Sequence, residues 1–116
     1  GPLRFATGKF TPRVIRSETE CNRLSFKAIT LTETSGRGRW SHPEAAGSLV
    51  FDIEDGIISA RMKGSEILNS KENVQVQGAD LLVRIHTTYS GGQCKIAFVL
   101  AGAAAQGIEV EHVYDY

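Results

Sequence analysis

Alternating apolar and polar residues near the middle of the chain predict a β-hairpin. Apolar side chains occupy every second position in residues 49–53 and again in residues 58–62, and Asp55-Gly56 lies between the two runs. Both central positions of a type I′ turn need positive φ, and an Asp-Gly pair meets that need. Because a two-residue turn fixes the register, we expect three apolar cross-strand pairs on one face. These pairs are Ile53–Ile58, Phe51–Ala60 and Leu49–Met62.

A second alternating pattern predicts another hairpin near the end of the chain. The runs 80–89 and 94–100 flank Gly91-Gly92, which we interpret as a two-residue turn. This register sets Ile85 opposite Phe98 on an apolar face. The other face is mixed in character and meets solvent or a partner. The same register pairs its side chains as Arg84–Val99, His86–Ala97 and Thr88–Lys95.

Weaker patterns predict the remaining elements. A strand at 23–34 shifts phase near Ala28, which indicates a β-bulge, and Pro12 confines a strand at 10–16 to a sheet edge. Further expectations are strands at 74–77 and 108–116, single helical turns within 65–73 and 101–106, and a long loop at 35–47. No helix-like period is long enough to connect parallel strands. The sequence therefore predicts an all-β antiparallel sandwich or jelly roll of seven or eight short strands, with a closed β-barrel as the alternative.

Length and composition fit a single β domain spanning residues 1–116. The 116 residues are 41% hydrophobic and 22% charged, which is ordinary for a globular protein. Gly1-Pro2 is typical of the scar left by tag removal, so we expect a domain excised from a longer chain. The apolar run 96–105 is too short for a spanning helix, and we expect no membrane insertion. The compartment stays open, with an extracellular or particle-surface location favoured.

The formal charge of zero argues against binding to nucleic acid. The charge is nevertheless uneven along the chain. Residues 1–40 hold eight Lys or Arg and three Glu, a net of +5, whereas residues 41–116 hold five Lys or Arg and ten Asp or Glu, a net of −5. We expect the fold to interleave the two halves. The alternative is a bipolar surface, which would suit self-association.

No residue pattern indicates a catalytic centre, a cofactor or a metal site. Cys21 and Cys94 either form one disulfide bond or remain two buried thiols, and neither has further ligands at metal-binding spacing. His42, His86 and His112 lack the Gly-x-Ser-x-Gly turn that would accompany a catalytic serine. We therefore expect a chain that is not an enzyme and holds no cofactor or metal.

Two groups of residues are candidates for binding. The first lies in the predicted loop, where arginines suit carboxylate or phosphate and a tryptophan offers a stacking face to a sugar or cation. These predicted ligand-binding residues are Arg37, Arg39, Trp40 and His42. The alternative for that loop is a core tryptophan with solvated arginines. The second group is the mixed face of the second hairpin, with Arg84, His86, Thr88, Lys95 and Val99 as predicted interface residues.

These features favour a recognition module without catalytic activity, which binds a protein or glycan surface through loops or a sheet face. The alternative is a structural domain that self-associates, such as a surface projection of a viral capsid or fibre. A small β-barrel enzyme is the third interpretation and has the least support in the sequence.

Overall fold

The structure, a computed structural model, describes residues 5–18, 23–64, 69–89 and 92–105, with the backbone alone for residues 16–18. Within these ranges the chain forms ten β-strands, and every strand pair is antiparallel. The strands are β1 (Gly8–Phe10), β2 (Arg13–Glu18), β3 (Ser25–Phe26), β4 (Ile29–Leu31), β5 (Ser35–His42), β6 (Ala45–Glu54), β7 (Ile57–Lys63), β8 (Asn69–Gln77), β9 (Asp80–Tyr89) and β10 (Gly92–Leu100).

The strands belong to two sheets. Sheet A has the order β1-β4-β5-β6-β7, with β3 also paired to β5, and sheet B has the order β2-β10-β9-β8. Neither sheet closes on itself, so the predicted antiparallel sandwich is confirmed and the barrel alternative is not. No helix long and apolar enough to cross a bilayer occurs among the residues that the structure describes.

Apolar side chains from both sheets fill the interior of the sandwich. The largest fully buried ones are Trp40 and Phe51 from sheet A and Phe98 from sheet B. Cys94 is also buried, and it takes part in a disulfide bond, so it is not the free thiol of the second alternative. The only other cysteine of the chain, Cys21, lies outside the described residues.

The first predicted hairpin is confirmed in both its turn and its register. Asp55 and Gly56 have φ values of 53° and 77°, which is the left-handed conformation that a type I′ turn requires. The predicted apolar pairs Leu49–Met62, Phe51–Ala60 and Ile53–Ile58 are the observed cross-strand partners.

The second predicted hairpin is correct in its strands but wrong in its register. Tyr89 pairs with Gly92, so Gly92 belongs to β10 rather than to the predicted turn, and Ile85 faces Ile96 instead of Phe98. On the outer face the observed pairs are Arg84–Ala97, His86–Lys95 and Thr88–Gln93. Because the partner of each residue moves by two positions and side chains alternate with a period of two, every residue stays on its predicted face.

The predicted loop at 35–47 is wrong, because most of these residues belong to β5 and the start of β6. Gly36 and Gly38 face the interior in alternation with outward arginines. A Cβ at Gly36 would lie 2.4 Å from Leu31 Cδ2, and one at Gly38 would lie 2.6 Å from Ile29 Cγ1. The glycines therefore mark close packing of β5 against β4 rather than a flexible loop.

Other expectations meet mixed outcomes. The bulge near Ala28 is confirmed, because the register against β5 gains one residue between Phe26 and Ile29. The predicted edge strand at 10–16 is divided at Pro12 between sheets A and B. The predicted helical turn within 65–73 is wrong for Asn69–Asn73, which belong to β8, and the predicted strand at 108–116 lies outside the described residues.

The carboxylate of Glu72 connects the two sheets at the corner where β7 of sheet A meets β8 of sheet B. Glu72 lies opposite Ile85, which is buried in the interior, so Glu72 occupies the interior side of an edge strand. Its Oε1 accepts hydrogen bonds from the Met62 backbone N–H at 2.8 Å and from Ser70 Oγ at 2.6 Å. An inward-pointing charge on an edge strand disfavours pairing with another chain.

Candidate functional site

The predicted ligand-binding cluster on β5 is divided between the two faces of sheet A. Arg37 and Arg39 are exposed on the outer face, whereas Trp40 and His42 lie on the interior face. Trp40 is 1% exposed, and its Nε1–H donates to the backbone oxygen of Lys63 at 3.0 Å. The prediction of a stacking indole beside two arginines is therefore wrong, because strand alternation turns the indole into the core. Ligand binding by Arg37 and Arg39 stays a prediction.

His42 lies on the interior face of sheet A, at the end of β5, and does not belong to a binding loop. Its Nδ1 accepts a hydrogen bond from the Glu44 backbone N–H at 3.2 Å, which stabilises the turn between β5 and β6. Its ring lies 5.4 Å, between centroids, from the ring of Tyr89 in sheet B. These contacts explain the presence of His42 without a ligand.

A groove of about 470 Å³ crosses β8, β9 and β10 on the outer face of sheet B. We call it the sheet B groove. The side chains that define it are Lys71, Asn73, Arg84, His86, Lys95 and Ala97. Three of the five predicted interface residues, Arg84, His86 and Lys95, therefore line the sheet B groove.

Register explains why these side chains form two walls. Residues directly opposite each other on neighbouring strands form rows across a sheet. One wall is the row Lys71–His86–Lys95, and the other is the row Asn73–Arg84–Ala97. Ile85 and Ile96 lie between the rows with their side chains buried on the interior side, so their backbone forms the floor. The small side chain of Ala97 leaves the second wall low at its β10 end.

Hydrogen bonds hold two of the polar side chains in place. Arg84 Nη1 donates to Gln75 Oε1 at 2.6 Å, and His86 Nε2 lies 2.8 Å from Gln93 Oε1. An amide oxygen only accepts, so His86 donates from Nε2, and its Nδ1 is an acceptor when the ring is neutral. The guanidinium of Arg84 has five donors in a planar fork, of which Gln75 takes one.

The groove is positively charged. Lys71, Arg84 and Lys95 supply three cations, and the one acidic residue in the lining is Glu72. The Glu72 carboxylate is already engaged on the interior side of β8. Lys95 lies opposite Glu18 of β2 in the register. The two cations on β8 and β9, Lys71 and Arg84, have no ion-pair partner among the described residues.

The other two predicted interface residues lie elsewhere on the same sheet. Thr88 is exposed one row beyond Lys71–His86–Lys95, and its hydroxyl donates to the backbone oxygen of Asn69 at 3.4 Å. Val99 is 4% exposed and packs with Leu82 and Ala97 in a small separate apolar cluster. Its assignment as a contact residue is therefore wrong, because a buried side chain offers almost no surface to a partner.

Sequence reasoning missed the contribution of β8, which supplies Lys71 and Asn73. Exposure alternates with a period of two over residues 69–75. Ser70 and Glu72 are nevertheless polar on the interior side, so the segment lacks the apolar–polar alternation that indicates a strand. Among the described residues, no group of three or more His, Cys, Asp or Glu side chains is arranged to hold a metal ion. Comparisons of the chain with protein-family models, with curated proteins and with solved structures find no match.

Proposed function

We propose that this chain is a recognition module without catalytic activity, and that the sheet B groove binds an acidic glycan. The observation that carries the proposal is one groove that combines three cations with fixed hydrogen-bonding side chains. An arginine side chain binds a carboxylate through two parallel hydrogen bonds. The N–H donors of Arg84 that Gln75 does not take are available for that purpose. Amide, imidazole and ammonium groups suit the hydroxyls and carboxylates of a sugar acid.

A glycan fits this groove better than a protein partner does. The cores of protein interfaces are enriched in aromatic residues, Met and Arg, and depleted in Lys. The lining of the groove has no Phe, Tyr, Trp or Met and includes two lysines. Small-ligand pockets have volumes of roughly 300–1,000 Å³, and the groove at about 470 Å³ falls in that range. A short oligosaccharide is therefore the ligand class that we favour.

The test is titration calorimetry with an oligomer of galacturonic acid and, as a neutral comparison, a maltooligosaccharide of equal length. We expect the wild-type chain to bind the uronate and not the neutral sugar. Removing Lys71 and Arg84 together (Lys71→Ala with Arg84→Ala) should weaken uronate binding by about tenfold or more, because hydrogen bonds to charged groups are worth roughly 1.5–3 kcal/mol. The melting temperature should stay within a few degrees, because both side chains are exposed.

The matched control carries Arg13→Ala and Arg23→Ala, two exposed cations that do not line the groove. This variant loses the same charge from elsewhere on the surface. Equal losses of uronate affinity in both double variants would show that binding follows net charge rather than the groove. Wild-type chain that binds both sugars equally, or neither, would contradict the proposal.

A structural domain that self-associates is the second candidate, and the β2 edge of sheet B favours it. Val14 and Ile15 on this strand are 51% and 47% exposed, so two neighbouring large apolar side chains meet solvent at a sheet edge. The strand pairs with β10 on one side, and no described strand pairs with its other side. An exposed strand edge is a template for pairing with a second chain. A surface projection of a capsid or fibre would use such an edge for assembly.

Light scattering over a wide concentration range tests this second candidate. If β2 mediates assembly, the wild-type chain should form a dimer or larger species, and Ile15→Lys should convert it to a monomer. A charged side chain at an exposed edge position disfavours edge-to-edge pairing. The comparison variant is Val76→Lys, since Val76 is 46% exposed on β8, at the other edge of sheet B. A wild-type chain that stays monomeric at every concentration, or loss of assembly in both variants alike, would argue against the β2 edge.

A further inference from the structure

The outer face of sheet A carries a concentration of positive charge that the sheet B groove does not involve. We call it the basic face. Its cations come from four different strands or strand junctions and are all exposed. They are Lys9, Lys27, Arg37, Arg39, Arg61 and Lys63.

Register arranges these cations in two adjacent rows across the strands. The first row runs from Lys9 through Arg37 to Arg61, with Thr30 and Val50 in the intervening positions. The second row contains Arg39 and Lys63, with Ser48 between them. Lys27 extends the second row, because its backbone N–H donates to the Arg39 oxygen at 2.9 Å.

The spacing within the first row is regular. In the first row the cations stand on β1, β5 and β7, with one strand between neighbouring cations. Strands are separated by roughly 4.8 Å, so cations on alternate strands are roughly 10 Å apart. Residues two apart on one strand are separated by roughly 7 Å, which is the distance between the two rows at Arg37 and Arg39. The side chains between the cations (Thr30, Val50 and Ser48) are short, so the cationic side chains extend furthest from the sheet.

Little of this charge is neutralised within the described residues. Asp52 lies one row further along β6, and its Oδ2 is 3.9 Å from Arg61 Nη2. Both side chains of this pair are about 60% exposed (60% and 61%), so water screens the attraction. The other five cations have no ion pair in the described part of the chain. Beyond Asp52 the face becomes acidic, since Glu54 and Asp55 lie at the tip of the β6–β7 hairpin.

We propose that the basic face binds a sulfated polysaccharide, which lies across the strands along the two cationic rows. A polymer with regularly repeated anionic groups matches a surface with regularly repeated cations. Serine and threonine hydroxyls between the cations, at Thr30 and Ser48, are donors for sulfate oxygens and sugar hydroxyls. A polymer running along the strands would meet the acidic tip of the β6–β7 hairpin, which repels anionic groups. The polymer therefore lies across the strands.

Three other polyanionic partners fit this face less well. Single-stranded nucleic acid is bound by aromatic side chains on which the bases stack, and neither cationic row contains an aromatic residue. Duplex DNA is read by a helix or a β-ribbon inserted into a groove, whereas these cations lie on the face of a sheet. Stable membrane anchoring combines cations with apolar groups that enter the lipid, and the apolar residue within the rows, Val50, is half-buried.

The experiment measures binding to immobilised dextran sulfate at several salt concentrations, with neutral dextran and a DNA duplex as comparisons. We expect the wild-type chain to bind dextran sulfate, to ignore dextran, and to lose affinity as salt rises. The variant Arg37→Ser with Arg39→Ser should bind dextran sulfate about tenfold more weakly, since each exposed charge pair contributes a modest amount. Serine suits these exposed strand positions, and thermal unfolding shows whether the variant folds as the wild type does.

The variant Arg13→Ala with Arg23→Ala is the matched control, because it removes two exposed cations that belong neither to the cationic rows nor to the sheet B groove. Its dextran sulfate affinity should equal that of the wild type. An equal loss in both variants, retention of binding by the serine variant, or tighter binding of the DNA duplex than of dextran sulfate would overturn the proposal. The uronate titration and the dextran sulfate assay depend on different residues, so either proposal can fail while the other stands.

Discussion

Replacing Trp40 with alanine should destabilise the domain severely. The indole is 1% exposed, and it is among the largest fully buried side chains of the core. Substitutions of a buried Trp or Phe by Ala cost roughly 3–5 kcal/mol, because both apolar burial and packing contacts are lost. Loss of the Nε1–H also leaves the Lys63 backbone oxygen without its donor at 3.0 Å. Since domains have a total stability of roughly 5–15 kcal/mol, we expect the melting temperature to fall by about 15 °C or more.

The neighbouring residue provides the control for this experiment. Arg39 is exposed on the opposite face of the same strand, and Arg39→Ala should change the unfolding free energy by no more than roughly 0.5 kcal/mol. Trp40→Phe keeps an aromatic ring in the core but loses the hydrogen bond, so its stability should lie between those of the wild type and Trp40→Ala. A Trp40→Ala variant that melts within a few degrees of the wild type would contradict the position of the indole in the core.

Gly47 explains why a tryptophan fits at this position. It lies directly opposite Trp40 on β6. A Cβ added to Gly47 would lie 1.9 Å from the Lys63 backbone oxygen and 2.9 Å from Trp40 Nε1. The glycine therefore opens the path along which the indole N–H reaches the Lys63 oxygen on β7. A glycine that makes room for a neighbour looks the same in the sequence as a glycine in a loop.

The hairpins could be predicted from the sequence because local chemistry determines them. Asp55-Gly56 has one favourable turn type, and that turn leaves a single register in which the apolar residues share a face. The second hairpin was ambiguous, since Ser90, Gly91 and Gly92 allow more than one two-residue turn. Its faces were nevertheless correct, because side-chain direction depends on alternation rather than on the exact turn.

The strand at 35–42 could not be recognised by composition. Its interior face contains Gly36 and Gly38, and its exposed face contains arginines and serines, so the segment resembles a polar loop. The glycines are required by the close approach of Leu31 and Ile29 on β4, which is a long-range property. Their strict alternation with Arg37 and Arg39 was the available signal for a strand.

The two candidate binding surfaces depend on sheet order, which the sequence does not determine. The sheet B groove joins β8, β9 and β10, and the basic face joins β1, β5 and β7 with residues far apart in the chain. Cations from both halves of the chain, such as Arg37 and Arg61, share the basic face. Several described acidic residues lie instead at a hairpin tip, in a turn and at the β7–β8 corner, as in Asp55, Glu44 and Glu72. Asp52 is the acidic residue paired with the basic face. Zero formal charge is therefore compatible with strongly basic sheet faces.

Reducing the disulfide bond of Cys94 should be the second large perturbation of this domain. Cys94 is 4% exposed on β10, opposite Thr87, whose buried hydroxyl donates to its sulfur at 3.4 Å. Loss of a native disulfide from a small domain costs roughly 2–5 kcal/mol. Thermal unfolding with a phosphine reductant should therefore give a melting temperature lower by about 10 °C or more than unfolding without it.

A variant that lacks Cys94, and therefore lacks its disulfide bond, separates the effect of the bond from other effects of the reductant. Cys94→Ser should be destabilised without reductant, and adding the reductant should lower its melting temperature no further. Mass spectrometry under non-reducing conditions gives the connectivity independently, because a bond within one chain removes two hydrogens from the mass of the monomer. Wild-type protein whose melting temperature is the same with and without the reductant, after full reduction is verified by mass, would show that the bond contributes little to stability. The fold would then depend on the packing around Trp40, Phe51 and Phe98, since these fully buried rings would remain in place after reduction.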